Sequence, residues 1–213
     1  MCYSLRLSAL SLSVGLIGCL LLIRYSPAKY RNTSKAISIF FAFVYLMQLI
    51  EMAMWTDQSC TSGLNYIATT IGPLLNHFQP VVLLLVAMYF IPSAGLIPTS
   101  VIYALNVAYI IYTIYMYGKY VTASSKHKLC TRTNREGHLD WPWKHYFVYA
   151  IYLAMMVINA ANYYENKFLM IALVVSFGLL YASILNYSKN VGEFWCLMVV
   201  SVPYIILFLV WLM

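Results

Sequence analysis

The sequence predicts an all-α membrane protein, folded as a bundle of seven transmembrane helices. Two observations support this fold class. Of the 213 residues, 63% are hydrophobic and only 9% are charged, which leaves too little polar surface to cover a water-soluble domain of this size. The apolar residues also form runs of about 20, the length that crosses the hydrocarbon core of a bilayer. The lipid bilayer is therefore the first predicted partner.

The predicted spans are separated by short polar connections. They are residues 5–23, 36–55, 64–90, 96–117, 143–162, 168–185 and 191 to the C-terminus. The first span is followed by Arg24-Tyr25-Ser26-Pro27 and not by a small-residue cleavage site, so we expect it to remain as a helix. Residues 1–213 then form one domain, in which the loop 118–142 is the only candidate for a small extramembrane structure. The formal net charge of +7 lies in the connections, which suits anionic lipid headgroups and gives no separate case for nucleic acid.

The third span contains the polar stretch Asn76-His77-Phe78-Gln79-Pro80. Polar side chains at membrane depth need protein or water as partners, and they are hypotheses of function by default. Pro73 and Pro80 predict bends, because each lacks a backbone donor and clashes with the preceding turn. The carbonyl groups of residues 69 and 76 lose their usual donors, and we expect Asn76, His77 or a water molecule to replace them.

Acidic residues add to this polar set in two further spans. Glu51 lies roughly 22 Å along the second span, counted at about 1.5 Å per residue, and Glu193 lies near the start of the seventh. The candidate ligand-binding or proton-relay residues are Glu51, Asn76, His77, Gln79 and Glu193. An imidazole can shuttle protons or hold a metal ion, and a buried carboxyl can relay protons or coordinate a cation. Each of these residues can equally form a structural hydrogen bond between helices, which is also how we interpret Asn106, Asn159 and Asn162.

Two cysteines, Cys60 and Cys130, fall on the same face of a seven-span protein and can form a disulfide if that face is oxidising. The alternative is two free thiols in a reducing compartment. The basic residues give conflicting orientations. Five of the lysines and arginines lie on the face of the connection between the first two spans and eight on the opposite face, so the overall count places that connection outside the cytoplasm. The excess of basic residues directly after the first span, compared with those before it, places the same connection inside the cytoplasm. We expect an extracytoplasmic N-terminus and a cytoplasmic C-terminus.

Short motifs are spread along the whole chain. They are Met1-Cys2-Tyr3-Ser4, Glu51 followed by Asp57-Gln58-Ser59-Cys60, His77-Phe78-Gln79-Pro80, Cys130, and Glu193-Phe194-Trp195-Cys196. In their order and spacing they resemble a family of small seven-helix membrane proteins, found in bacteria and large DNA viruses, that opens with Met-Cys-Trp-Ser or a close variant. The chain departs from that pattern in residues 138–142, which only approximate the expected His, Trp, Asp and Pro cluster, and in lacking a proline before Glu193. The resemblance implies the seven-helix fold and no particular activity.

Three classes of function fit these residues. The first is a transporter, channel or sensor that handles protons, a cation or a small polar ligand through Glu51 and His77. The second is a structural or assembly membrane protein without catalytic activity, whose polar residues only lock helices together. The third and least favoured is a metal- or haem-dependent membrane enzyme, for which His77 is the only mid-membrane ligand candidate, with Cys2, Cys196 or His145 as a second ligand. The sequence identifies no cofactor, and it excludes an ordinary retinal protein because no lysine lies deep in an apolar run.

Overall fold

The computed structural model describes residues 4–91, 97–124, 129–135, 137–163, 166–186 (181–186 by their backbone) and 198–212. This part of the chain is mainly α-helical, in agreement with the predicted fold class. Its α-helices are α1 Leu5–Tyr25, α2 Arg31–Thr56, α3 Leu64–His77, α4 Gln79–Phe90, α5 Thr99–Ala123, α6 Tyr149–Ala161, α7 Lys167–Asn186 and α8 Val202–Leu212. Short 3-10 turns at Ala28–Tyr30 and Pro142–His145 precede α2 and α6.

Several of these helices have the length and composition of membrane spans. α1, the stretch Ala28–Thr56 that includes α2, and α5 each qualify. α3 and α4 qualify together, although they are bent by 50° at the residue between them. α6, the segment Lys167–Leu180 of α7, and α8 are apolar but shorter. By this measure three described helices, or four with the bent pair, are long enough to cross a bilayer, which confirms the prediction of a membrane protein.

Several helix boundaries differ from the predicted ones: α2 begins at 31 and not at 36, and α5 ends at 123 and not at 117. Two further differences have local reasons. The predicted third span, 64–90, is two helices with Phe78 between them, because Pro80 has no amide to donate to the carbonyl of Asn76. α6 begins at Tyr149 and not at 143, because a 3-10 turn and the extended Val148 (φ −88°, ψ 99°) come first. The predicted start of the last span, at residue 191, lies outside the described residues.

α1 packs into the bundle through small residues. Its buried face consists of Ser8, Ser11, Gly15, Gly18, Cys19 and Leu22. A Cβ atom on Gly15 would lie 2.6 Å from the ring of Tyr45 on α2, so the missing side chain lets this ring approach. Gly18 meets the ring of Tyr204 on α8 in the same way. The Tyr45 hydroxyl then donates to the Val199 carbonyl at 3.1 Å. Close packing over small residues is typical of helices in membranes.

The core surrounds α2, whereas many large apolar side chains face outwards. Buried core residues include Phe40, Phe41, Tyr45, Leu84 and Leu169, from α2, α4 and α7. Leu20, Ile111 and Phe208 are each more than half exposed. An outer surface of this kind is unfavourable in water and suits contact with lipid chains.

The described part of the long loop contains a small β-hairpin. Strands β1 (Arg132–Thr133) and β2 (Leu139–Asp140) pair antiparallel, with Arg132 opposite Asp140. Gly137 in the turn between them has a φ of 83°, a conformation that favours glycine. The fully buried Trp143 packs over Gly72 of α3, where a Cβ atom would lie 2.8 Å from its ring. The hairpin and the residues after it therefore rest directly on the bundle.

Candidate functional site

The break between α3 and α4 leaves backbone carbonyl groups inside the bundle. Tyr109 Oη donates to the His77 carbonyl at 2.8 Å, and Asn159 Nδ2 donates to the Pro80 carbonyl at 2.7 Å. Each bond joins a carbonyl group beside the break to another helix, so these two side chains stabilise the bent conformation. Helices α5 and α6 therefore hold the break in place.

Pro73 removes one hydrogen bond within α3 without ending the helix. The Thr69 carbonyl, which would accept from the amide of residue 73, accepts from Tyr120 Oη at 3.2 Å. At the break, the Asn76 carbonyl accepts from the Phe78 amide. At the Thr69 carbonyl, the prediction of side chain 76 or 77 as the donor is wrong, because Tyr120 from α5 donates there instead. The Phe78 amide is shared between the carbonyl groups of Asn76 and Leu74.

The imidazole of His77 lies among aromatic rings. It is 1% exposed and stacks on Phe147, with ring centroids 4.1 Å apart and planes 13° apart. Tyr149 and Tyr152 flank it at centroid distances of 5.2 and 5.6 Å. Its Nε2 has no hydrogen-bond partner among the described residues. A buried imidazole nitrogen in this condition can donate to or accept from a small polar molecule.

Gln79 has one satisfied and one unsatisfied polar atom. Tyr152 Oη donates to its Oε1 at 2.5 Å, while its Nε2 has no partner within the described part of the chain. Gln79 lines a cavity of about 30 Å³ between α2, α4, α6 and α7, whose other walls are apolar except for Tyr152 and Ser176. A cavity needs roughly 10–15 Å³ to hold one water molecule, so there is room for about one or two. Because Tyr152 contacts both Gln79 and His77, it connects the cavity to the imidazole.

Glu51 belongs to a second polar centre, between α1 and α2. Its side chain is fully buried, and its Oε2 accepts from Ser8 Oγ at 3.4 Å. The preceding residue, Ile50, faces α3, where its Cγ2 lies 3.4 Å from the position of a Cβ atom on Gly72. Neighbouring residues on a helix point in different directions, so Glu51 turns towards α1. Glu51 and His77 therefore contact different helices.

The remaining predicted site residues are distributed unevenly. Asn76, which directly precedes His77, is buried at the end of α3. Glu193, Cys2 and Cys196 lie outside the described residues, and His145 is exposed on the 3-10 turn before α6. Within the described ranges, no three His, Cys, Asp or Glu side chains are grouped closely enough to hold a metal ion.

Buried asparagines join the helices around the break. Asn106 Nδ2 donates to Asn159 Oδ1, and Asn159 Nδ2 donates to Asn106 Oδ1, both at 2.9 Å. Asn162 Oδ1 accepts from the Ile97 amide at 3.2 Å. These contacts agree with the interpretation of the asparagines as helix contacts. The sequence does not indicate which helices they join, because Asn106 and Asn159 are 53 residues apart.

The long loop is fastened to the bundle by a disulfide and by an asparagine. Cys60 and Cys130 are joined, as predicted, with Cα atoms 6.2 Å apart. Beside them, Asn65 Nδ2 donates to the Thr131 carbonyl at 2.8 Å, and its Oδ1 accepts from the Thr131 amide at 2.9 Å. The hydroxyl groups of Thr69 and Thr131 also lie 2.8 Å apart. Sequence reasoning missed Asn65, whose only signal is a polar side chain at the start of an apolar run.

Asp57 organises the connection between α2 and α3. Its Oδ1 accepts from the amides of Thr61 and Ser62 at 3.0 and 3.3 Å, and its Oδ2 accepts from the Asn65 amide at 3.2 Å. Desolvation by burial would raise the pKa of this carboxyl, but these bonds and one from the Ser62 hydroxyl hold the pKa at about 2. Gly63, at the start of α3, has no side chain to cap that helix, so Asp57 caps it from outside.

No protein family, curated protein or solved structure matches this chain. The family resemblance suggested by the short motifs therefore stays a prediction. Any function must be inferred from the geometry around His77, Gln79 and Glu51.

Proposed function

We propose that the chain is a seven-span membrane protein of the transporter, channel or sensor class, which handles protons through water held at the break between α3 and α4. The observation that carries this proposal is a pair of buried nitrogen atoms on either side of the break, Nε2 of His77 and Nε2 of Gln79, without partners among the described residues. Broken helices at membrane depth occur where they line a cavity, and ionisable residues there mark proton pathways.

The disulfide supports counting α3 and α4 as one span. Cys60 precedes α3 and Cys130 follows α5, so their Cα atoms can be 6.2 Å apart only if the helices between them return to one face. α5 is long enough to cross a bilayer once. A single crossing by the bent pair fits this distance, whereas a re-entrant loop would leave the two cysteines about 30 Å apart on opposite faces. α6, α7 and α8 complete seven spans if each crosses once.

The disulfide also supports an extracytoplasmic N-terminus. Stable disulfides form in oxidising compartments, so the bond between Cys60 and Cys130 favours a position outside the cytoplasm for the face of Cys60. Two spans, α1 and α2, separate the N-terminus from Cys60, so both lie on the same side. After seven crossings the C-terminus is cytoplasmic. The basic connection between α1 and α2 is then cytoplasmic too, as the positive-inside rule expects for the first span.

His77 is the proposed proton-exchanging group. An imidazole exchanges a proton near neutral pH, and its Nε2 needs a partner in either state, an acceptor when protonated and a donor when not. Water can be either partner. The Gln79 amide would hold water in the cavity that it lines by donating through Nε2. Glu51, beside Ser8 on the α1 side, is the second titratable group of the proposed pathway.

Proton flux into liposomes tests this proposal. Purified protein is reconstituted in vesicles that contain a pH-sensitive dye, and the internal pH is followed after an external acid jump. His77→Phe keeps an aromatic ring on Phe147 and removes the titratable nitrogen, so we expect flux to fall to the level of protein-free vesicles. Gln79→Leu should reduce it strongly, because the water loses its donor.

A buried serine provides the matched control for this experiment. Ser38 on α2 is 1% exposed and its hydroxyl has no partner in the described structure, yet it does not line the cavity at Gln79. We expect Ser38→Ala to conduct like the wild type. Wild-type flux no greater than that of protein-free vesicles contradicts the proposal, as does full flux in His77→Phe.

A structural function is favoured by a different observation. Asn159 bonds both to Asn106 and to the carbonyl of Pro80, and so fixes α4, α5 and α6 to one another. Under this alternative the polar residues only lock helices together. His77→Phe and Gln79→Leu then change the free energy of unfolding, while wild type and variants alike give no flux above protein-free vesicles.

A further inference from the structure

An open pocket lies outside the bundle, between the end of α5, the hairpin and the turn before α6. Its volume is about 690 Å³. Its walls include the ionisable side chains of Arg132, Asp140, Lys144 and His145 and the aromatic side chains of Trp141 and Tyr146. None of the residues proposed to handle protons lines it. The pocket is therefore a separate site with its own chemistry.

The charges in this pocket are unbalanced in favour of cations. Lys144 Nζ donates to Asp140 Oδ1, so the carboxylate already has a partner. Arg132 lies opposite Asp140 in the hairpin, but within the described ranges it makes no ion pair. The guanidinium group of Arg132 is thus a free cation on the wall of the pocket. His145, also exposed there, supplies a further donor.

The position of the pocket matches that of lipid headgroups. Ser124 follows the last residue of α5, and α6 begins at Tyr149, so the pocket lies at the ends of two apolar helices and reaches the headgroup region if both cross the bilayer. Tryptophan and tyrosine, here Trp141 and Tyr146, are typical of that boundary. Arginine is suited to phosphate because its planar guanidinium can donate two parallel hydrogen bonds to phosphate oxygens.

We propose that this pocket binds a phosphate group, with Arg132 as the principal donor and Lys144 and His145 as further donors. The phosphate can be the phosphodiester of a phospholipid headgroup or a free phosphate. Both present the same tetrahedral oxyanion to Arg132. The carboxylate of Asp140 opposes the anion, so its removal should tighten binding.

Native mass spectrometry of the detergent-purified chain tests the proposal. The protein is titrated with phosphatidylglycerol and, in a separate arm, with inorganic phosphate. Arg132→Gln should weaken binding roughly tenfold, because it removes charge-assisted hydrogen bonds to the phosphate. Arg135→Gln is the matched control, since Arg135 is an exposed arginine of the same hairpin that does not line the pocket. Asp140→Asn should bind more tightly than the wild type.

The results distinguish a lipid headgroup from free phosphate, and other results overturn the proposal. Lipid binding lost in Arg132→Gln and kept in Arg135→Gln assigns the pocket to a headgroup, whereas the same pattern with inorganic phosphate alone assigns it to free phosphate. Equal affinities in Arg132→Gln and Arg135→Gln overturn the proposal, because binding is then only general charge attraction. An intact disulfide on a non-reducing gel reports folding of each variant. If Arg132→Gln does not fold, the proposal is tested with Asp140→Asn alone. Phosphate binding by Asp140→Asn that is equal to or weaker than that of the wild type overturns the proposal.

Discussion

Asn106 and Asn159 form a closed pair between α5 and α6, in which each amide nitrogen donates to the oxygen of the other at 2.9 Å. Both are buried, and Asn159 also donates to the carbonyl of Pro80 at the helix break. Without the other, each amide would lose one donated and one accepted hydrogen bond, so the two residues should act as a unit. The stability of the break therefore depends on residues in two other helices.

Coupling between these asparagines is the first prediction. Asn159→Leu should lower the free energy of unfolding by about 1–2 kcal/mol, because it removes the interhelical pair and the donor to Pro80. Asn106→Leu should cost less, since it removes the pair alone. The double variant should be little worse than Asn159→Leu. Unfolding by SDS in bicelles measures all three, and losses in the double variant equal to the sum of the single losses contradict the closed pair.

The close approach of α1 to α2 gives the second prediction. Gly15→Ala places a Cβ atom 2.6 Å from the ring of Tyr45, which is fully buried and held by its bond to Val199. We expect a loss of about 1–3 kcal/mol from overpacking. Gly118→Ala on α5 is the control, because nothing lies within 4 Å of its Cβ position, and it should be neutral or stabilising. Equal thermal midpoints for Gly15→Ala and Gly118→Ala would contradict the close contact between Gly15 and Tyr45.

The acid response of the connection around Asp57 is the third prediction. Its pKa is about 2 in the folded protein and about 3.9 in an unfolded chain. The ionised carboxylate therefore stabilises the fold fully above about pH 4, and this contribution is lost as the pH falls towards 2. The thermal midpoint of Asp57→Asn should lie below that of the wild type at pH 7, and the two should converge between pH 4 and pH 2.

An exposed carboxylate provides the comparison for this pH series. Asp140 has an exposed ion pair with Lys144, and such pairs contribute little stability. Asp140→Asn should therefore shift the thermal midpoint at pH 7 by less than Asp57→Asn does. A difference between the thermal midpoints of wild type and Asp57→Asn that stays constant from pH 7 to pH 2 would show that these hydrogen bonds do not stabilise the ionised carboxylate.

The disulfide gives the fourth prediction. Cys60 and Cys130 are 70 residues apart in sequence, and a loop of that length corresponds to a stabilisation of up to about 4 kcal/mol. Dithiothreitol should lower the thermal midpoint of the wild type and of Cys19→Ser, whose target is a buried free thiol. It should leave Cys130→Ser unchanged. A reductant effect of equal size in Cys130→Ser would mean that the stabilising bond is elsewhere.

Local signals explain what the sequence could predict of this fold. Apolar runs located most of the helices, and Pro80 located the bend. The two cysteines expected on one face of a seven-span protein are joined in the structure. A proline acts on its own helix, so its effect can be read from neighbouring residues. The charged loop that contains the hairpin could likewise be recognised from its own residues.

Distant partners explain what the sequence could not predict. Tyr120 replaces the donor that Pro73 removes from Thr69, although it is 51 residues away from Thr69. Asn65 binds the backbone of Thr131, 66 residues away. Nothing near either residue in the sequence indicates its partner. The side chains that contact His77 and Glu51 are also distant from them in sequence. The sequence could therefore name these two residues as candidates, but not the different helices that they contact.

Water at Gln79 is the feature on which the proposed function depends most directly. Tyr152 satisfies only one of the two polar atoms of the Gln79 amide, and the cavity beside it measures about 30 Å³. An experimental structure in lipid nanodiscs, at a resolution that shows ordered water, tests this point. We expect density in the cavity at about 2.7–3.2 Å from the Gln79 amide, and none in Gln79→Leu. An empty cavity, with the amide turned to a protein partner, would contradict the account.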